Sequence, residues 1–223
     1  MNTWQVYNKA METVFRNFEE ITKAVGLNTL VAVSKYQSDQ DIQLMSELGI
    51  TDFGENQVQQ LLIRQKRFPD LNWHFIGQLQ TNKVKYLIGK TKLIHSLDSI
   101  KLAREIETQA AKMGETVDCL IQLKFDDDPK RGGVQLDKLT ELYDFTLSCR
   151  YLRACGFMAI PPLSDNLTLA KLIFEEAKAF FDGFSRENPN WLYLSMGMSA
   201  DYQLALDCGS NMVRIGEKLF TKS

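Results

Sequence analysis

Eight short runs of strand-forming residues punctuate the chain, and stretches of helical periodicity separate them. The runs are Leu30–Val33, Thr51–Phe53, Trp73–Ile76, Leu93–His95, Val117–Leu123, Ala154–Met158, Leu192–Leu194 and Met212–Ile215. Strand–helix units spaced by about 20–35 residues pair in parallel through right-handed crossovers. Eight of them predict an α/β fold, a closed (β/α)8 TIM barrel with one extra N-terminal helix. The competing open, doubly wound sheet places a glycine-rich nucleotide turn after its first strand. Here that strand runs into Ser34-Lys35-Tyr36-Gln37, with no glycine. The chain has 223 residues, 44% of them apolar, and shows no linker or low-complexity tract, so residues 1–223 read as a single domain.

The helical stretches carry their own punctuation. Before the first strand, Tyr7, Met11, Val14, Phe15, Phe18, Ile21 and Val25 fall on one face, and Gly26 ends the helix. Ser38-Asp39-Gln40-Asp41 reads as a capping box before Ile42, Leu44, Met45 and Leu48, with Gly49 as C-cap. Val58, Leu61, Leu62 and Gln65 mark the next helix, and Ser99 to Gly114 another. The longest runs from Asn166 to about Asn188, with Leu169, Leu172, Ile173, Phe180 and Phe184 expected to face inward.

Composition excludes several functions. Twenty-six basic and 28 acidic side chains are well mixed, for a net charge of −2, which offers no footprint for nucleic acid. No run is apolar enough to span a membrane, and the N-terminal segment lacks the apolar core of a secretion signal. The cysteines, Cys119, Cys149, Cys155 and Cys208, form no C-x-x-C pair and sit in apolar stretches. Reduced core thiols in a cytoplasmic protein are expected. No Cys/His/Asp grouping has the spacing of a metal site.

In a barrel, function gathers where the strands end. Lys35 follows the first strand, Gly54-Glu55-Asn56-Gln57 the second, and Ser195-Met196-Gly197-Met198-Ser199 the seventh. The eighth holds Arg214 and ends Ile215-Gly216-Glu217. Loops after strands seven and eight are the usual phosphate site of this fold, and small residues before a helix present backbone N–H groups to an anion. Closure puts strand one beside strand eight, so Lys35, Arg214 and both loops share one rim. Such a rim describes a pocket for pyridoxal 5′-phosphate, with the lysine amine condensing with the aldehyde. The alternative is that Lys35 acts as a plain cation for a phosphate or carboxylate.

Taken together, VSKYQ, FGENQVQ, WHFIGQLQTNK, IHSLDS, GFMAIPP, LSMGMSADYQLAL and VRIGEKLF resemble the YggS/PROSC family, the pyridoxal phosphate homeostasis proteins, over about Leu30 to Phe220. The resemblance implies the barrel of the alanine racemase N-terminal domain. It implies pyridoxal 5′-phosphate held covalently as an internal aldimine at Lys35, Arg214 facing the pyridine nitrogen, and a phosphate cradle of Ser199, Gly197 and the backbone at Gly216. Asn56 and His74 are expected to line the ring. It also implies a role in vitamin B6 balance, with pyridoxal-phosphate-dependent apoenzymes as recipients. Three positions depart from the family pattern: Glu217 stands where threonine or serine is usual, Thr221 where glycine is usual, and Cys155 where arginine is usual. A Glu217 carboxylate pointing inward would repel a phosphate, so it is expected to turn away and leave only its backbone N–H.

Arginine cannot take up the proton that activates the ring nitrogen as an electron sink. The leading expectation is therefore a non-catalytic or barely catalytic binder of the cofactor. The alternatives are a pyridoxal-phosphate-dependent amino-acid racemase, for which His74 or Tyr36 would be the candidate base, and an interaction protein that merely keeps the barrel. Without a second domain to complete a racemase site, a monomer is expected.

Overall fold

The computed structural model describes residues 3–128, 131–162 and 166–221, with side chains from residue 11 onward. Nine strands are present among these residues: β1 (Thr29–Val33), β2 (Asp52–Glu55), β3 (Asn72–Phe75), β4 (Leu93–Leu97), β5 (Val117–Lys124), β6 (Val134–Gln135), β7 (Leu152–Met158), β8 (Tyr193–Ser195) and β9 (Met212–Ile215). All but β6 form a closed parallel ring in the order β1-β2-β3-β4-β5-β7-β8-β9, with β9 returning to β1. Closure is explicit in the register, where Ala32 faces Ile215 and Ile94 faces Cys119. The expected barrel is the observed one. The two-residue β6 pairs with the end of β5 outside the ring.

Side chains alternate along a strand, and that alternation sorts the barrel. Ala32, Phe53, Trp73, Phe75, Ile94, Leu194, Val213 and Ile215 pack in the main core that includes the helices. Val31, Leu93, Leu120, Cys155, Met158 and Met212 form a separate cluster inside the ring. The remaining inward positions are unusually polar: Asp52, His74, His95, Ser195 and Arg214 are all buried.

The outer shell comprises α1 (Thr3–Val25), α2 (Asp39–Glu47), α3 (Val58–Arg67), α4 (Ile100–Met113), α5 (Leu139–Leu147), α6 (Leu167–Glu187), α7 (Tyr202–Asp207) and α8 (Glu217–Phe220). A 3-10 turn, Thr81–Tyr86, takes the helix position between β3 and β4. The Ser38 capping box forms as expected, and Ser99 and Gly114 bound α4. Helix α5 was not anticipated, although Leu139, Leu142, Tyr143 and Thr146 bury an i, i+3, i+4, i+7 stripe. Helix α1 buries Val14, Ile21 and Val25, whereas Phe15 is 40% exposed. Tyr7 lies outside the described side chains. The α1 face is tied to the last helix by an ion pair, Lys218 Nζ to Glu20 at 2.6 Å.

Helix α6 corrects one expectation. Leu169 and Leu172 are 37% and 59% exposed, and the buried stripe is Ala170, Ile173, Phe174 and Ala177. The two alanines let the helix approach the barrel, and the bulkier leucines are turned outward. The thiols also divide: Cys119 and Cys155 are buried, while Cys149 and Cys208 are half-buried, and all are free.

Candidate functional site

Strand β1 carries the chain to the rim. The Ser34 N–H donates to the Gly54 carbonyl at 3.0 Å, extending the β1–β2 ladder one residue beyond the strand. Lys35 then emerges into solvent. Tyr36 follows in the left-handed region, φ 67°, and is 91% exposed. A bulky residue there costs on the order of 1–3 kcal/mol and is found mainly where a site over-determines the backbone. The Lys35 ammonium lies 6.0 Å from the Tyr36 ring centroid.

Strand β2 brings Glu55 and Asn56 alongside. Lys35, Glu55, Asn56 and Arg64 share a cavity of about 250 Å³. Asn56 is exposed. Glu55 is buried, and the Ser34 hydroxyl donates to its Oε1 at 2.7 Å. Burial pushes the Glu55 carboxyl above the ordinary glutamate range, against the Ser34 bond.

On the other side of β1, the loops after β8 and β9 meet. The Lys218 N–H donates to Ser199 Oγ at 3.3 Å, which leaves the hydroxyl proton to donate elsewhere. The Arg214 N–H donates to the Gly197 carbonyl at 3.0 Å. Gly197 sits at φ 93°, and a Cβ there would fall 2.6 Å from Ala205 Cβ. A Cβ on Gly216 would lie 3.2 Å from the Val33 carbonyl oxygen, so glycine lets this loop close onto β1. Glu217 opens α8 and is exposed.

Arg214 lies beneath this rim. Its Nη1 donates to the Ser195 carbonyl at 2.8 Å and to Ser195 Oγ at 2.6 Å, and its Nη2 donates to the Ala159 carbonyl at 3.3 Å. Burial brings its pKa down to about 10, so it remains a cation at neutral pH. The guanidinium is thus braced by β8 and by the residue that follows β7, not by Lys35.

His74, expected to line the ring, lies deeper in the barrel than the exposed Lys35 and Asn56 of the mouth. It is fully buried, its Nε2 2.9 Å from Asp52 Oδ1 and its Nδ1 2.9 Å from His95 Nε2. Both ring nitrogens are engaged inside the barrel. Asp52, His95 and Ser195 lie at the strand ends read above, where no role was assigned to them. The signal that could have found them is a polar residue at an inward position of a barrel strand.

The chemistry of the rim fits a phosphorylated aldehyde: one exposed amine, a hydroxyl and backbone amides on two adjoining loops, and a guanidinium below. Next to it, a cavity of about 350 Å³ is bounded by Ile76, Gln122, Met158 and Met198.

Residues 10–223 match the family model described as "Alanine racemase, N-terminal domain". Solved alanine racemases share the fold: that of Clostridium difficile 630 aligns at 15% identity and TM-score 0.74, over 93% of this chain and 59% of that one. Fold and rim together define a barrel of the alanine racemase type. Curated relatives narrow this. The pyridoxal phosphate homeostasis protein of Aquifex aeolicus is 37% identical over 99% of this chain and 98% of its own length. That of Helicobacter pylori strain J99 is 35% identical over 96% and 98%. PipY of Synechococcus elongatus, solved with PLP bound, aligns at 30% identity and TM-score 0.84 over 93% of this chain and 99% of its own. The chain belongs to the YggS/PROSC family of pyridoxal phosphate homeostasis proteins.

Proposed function

We propose that this chain binds pyridoxal 5′-phosphate at the C-terminal rim of its barrel and serves in the balance of that cofactor, with little or no turnover. The carrying observation is the rim itself, where Lys35 stands at the end of β1 next to the two loops joined through Ser199 and Lys218. The PLP-bound structure of PipY supports the reading. The Lys35 amine would join the cofactor aldehyde in a Schiff base, with the aldehyde oxygen leaving as water. Ser199 and the backbone at Gly197 and Gly216 would hold the phosphate, Asn56 would lie at the ring's edge, and Arg214 would face the ring nitrogen.

Bound pyridoxal phosphate supplies an electron sink for amino-acid chemistry, strongest when its ring nitrogen is protonated. Arg214 can only donate and cannot hold the exchangeable proton a carboxylate partner would. That favours retention over turnover, and delivery to apoenzymes follows as the natural outlet. A cytoplasmic, monomeric protein completes the reading, and its four free thiols suit a reducing compartment. Among the described residues no helix is long and apolar enough to cross a membrane.

The test is a visible spectrum of the purified chain with pyridoxal phosphate before and after borohydride, followed by mass spectrometry of the reduced adduct. An adduct on Lys35, lost in Lys35→Ala, is expected. A protein that stays colourless, or an adduct on another lysine, overturns the reading. Release of α-deuterium from an amino acid into solvent, lost in the same variant, would establish a racemase instead.

A further inference from the structure

A continuous line of polar side chains crosses the interior of the barrel. It starts at the N-terminal end of the strands, where the half-exposed Lys92 donates to Asp52 Oδ1 at 2.7 Å. It continues through His74 and His95, reaches Ser195 Oγ 3.2 Å from His95 Nδ1, and ends at Arg214 Nη1, 2.6 Å from that hydroxyl. Every link lies within hydrogen-bond reach. The line runs from β2 through β3 and β4, then across to β8 and β9.

Its two ends are chemically one-sided. An ionised carboxylate only accepts, and a guanidinium only donates. Asp52 therefore requires the proton of His74 on Nε2. A neutral His74 then accepts at Nδ1, so His95 carries its proton on Nε2 and accepts at Nδ1. Ser195 must turn its hydroxyl proton toward His95, which leaves its oxygen lone pairs for Arg214. Burial holds both imidazoles neutral, in His74 against the pull of Asp52 and in His95 reinforced by His74 and Arg214.

We propose that Asp52, His74, His95 and Ser195 are positioning residues that form one proton-ordered chain, fixing the orientation of Arg214 at the cofactor face according to the charge held at the opposite end of the barrel. The mechanism is local at each step. If the Asp52 end could donate, the order could reverse, and His95 Nδ1–H would then point at Ser195 Oγ. That oxygen already accepts from Arg214 and would have to send its own proton elsewhere, so the Arg214–Ser195 contact would loosen. The effect on the cofactor rests on the proposed reading that Arg214 meets the ring nitrogen. The proton order does not.

The chain is tested first without cofactor, on whole protein labelled with 15N-histidine, by long-range 1H–15N correlation at pH 7. Both histidines are expected there as neutral Nε2–H tautomers. An Nδ1–H tautomer or an imidazolium at pH 7 overturns the ordering. Asp52→Asn, whose amide can present N–H or C=O to His74, is then compared with the wild type. It is expected to shift the His95 tautomer signals and, with pyridoxal phosphate added, the visible maximum of the bound cofactor. Unchanged His95 signals, or a wild-type band whose maximum Asp52→Asn leaves in place, overturn the transmission to Arg214. A wild type that shows no cofactor band sinks the cofactor reading instead, and the tautomer spectra still decide the chain. Those wild-type spectra also decide the order if Asp52→Asn does not fold.

Discussion

The Ser34 hydroxyl donates to the Glu55 carboxyl across 2.7 Å, which locks the residue before Lys35 to the residue before Asn56. Two of the loops that supply the proposed site are thereby held as a unit. Removing the hydroxyl in Ser34→Ala leaves a buried carboxyl without that donor and should cost about 1–3 kcal/mol. Glu55 also makes stability depend on pH. Its pKa is higher folded than unfolded, so its contribution is present below the ordinary glutamate value of about 4.3 and is lost as pH climbs through the raised value. Glu55→Gln removes that loss. Urea unfolding should find it gaining on the wild type as pH rises above the ordinary glutamate value of about 4.3.

Asp52 works in the opposite direction. Burial raises its carboxyl, but hydrogen bonds from His74, Lys92 and Thr51 outweigh this and hold it well below the usual range. Its stabilisation is present above the unfolded value of about 3.9 and is lost as pH falls through the depressed folded one. Asp52→Asn should cost about 1.5–3 kcal/mol at pH 7. Guanidinium unfolding at pH 7 and pH 3 should show the gap to the wild type narrowing at the lower pH.

Gly197 admits no side chain without strain. It combines φ 93° with a backbone so close to its neighbour that an added Cβ would stand 2.6 Å from Ala205 Cβ. Gly197→Ala should destabilise by about 2–3 kcal/mol, which at this chain length lowers the melting temperature by roughly 4–12 °C in calorimetry. Cofactor affinity should fall with it, because the same loop carries Ser199.

Trp191 sits among Tyr143, Phe157 and Phe184, with ring centroids 5.4, 4.9 and 5.6 Å away. Its buried indole nitrogen has no hydrogen-bond partner among the described residues. Shape, not the N–H, is what this residue contributes. Trp191→Phe should cost less than about 1.5 kcal/mol and Trp191→Ala about 3–5 kcal/mol. Equal losses in denaturant titrations of the two would contradict this.

Glu217 places a carboxylate beside the loop proposed to hold a phosphate, and it is exposed. Screened by water, one such charge changes affinity by a factor of a few, at most roughly fivefold. Glu217→Ser should tighten pyridoxal phosphate binding by that factor at low salt in a spectral titration, and the gain should shrink as salt is added.

The barrel was legible because its signals are local. Eight strand-forming runs, the Ser38 capping box and the Ser99 and Gly114 boundaries each arise from neighbouring residues; the runs overlap the observed strands with ends within two residues, and the caps stand where they were expected. Helix α6 shows where that reasoning weakens. Its apolar residues exceed one face, and only contact with the barrel selected Ala170, Ile173 and Phe174 over Leu169 and Leu172.

From the sequence alone came the parallel barrel, the placement of Lys35 at a strand end and the small-residue loops beside it. Periodicity and turn chemistry act over a few residues and need no partner to be read. The assembly of Asp52, His74, His95, Ser195 and Arg214 belongs to the tertiary structure, because 19 to 100 residues separate the linked side chains. Only ring closure and the in-or-out sense of each strand decide that these polar groups face one another, and burial then obliges each to find its partner among the others.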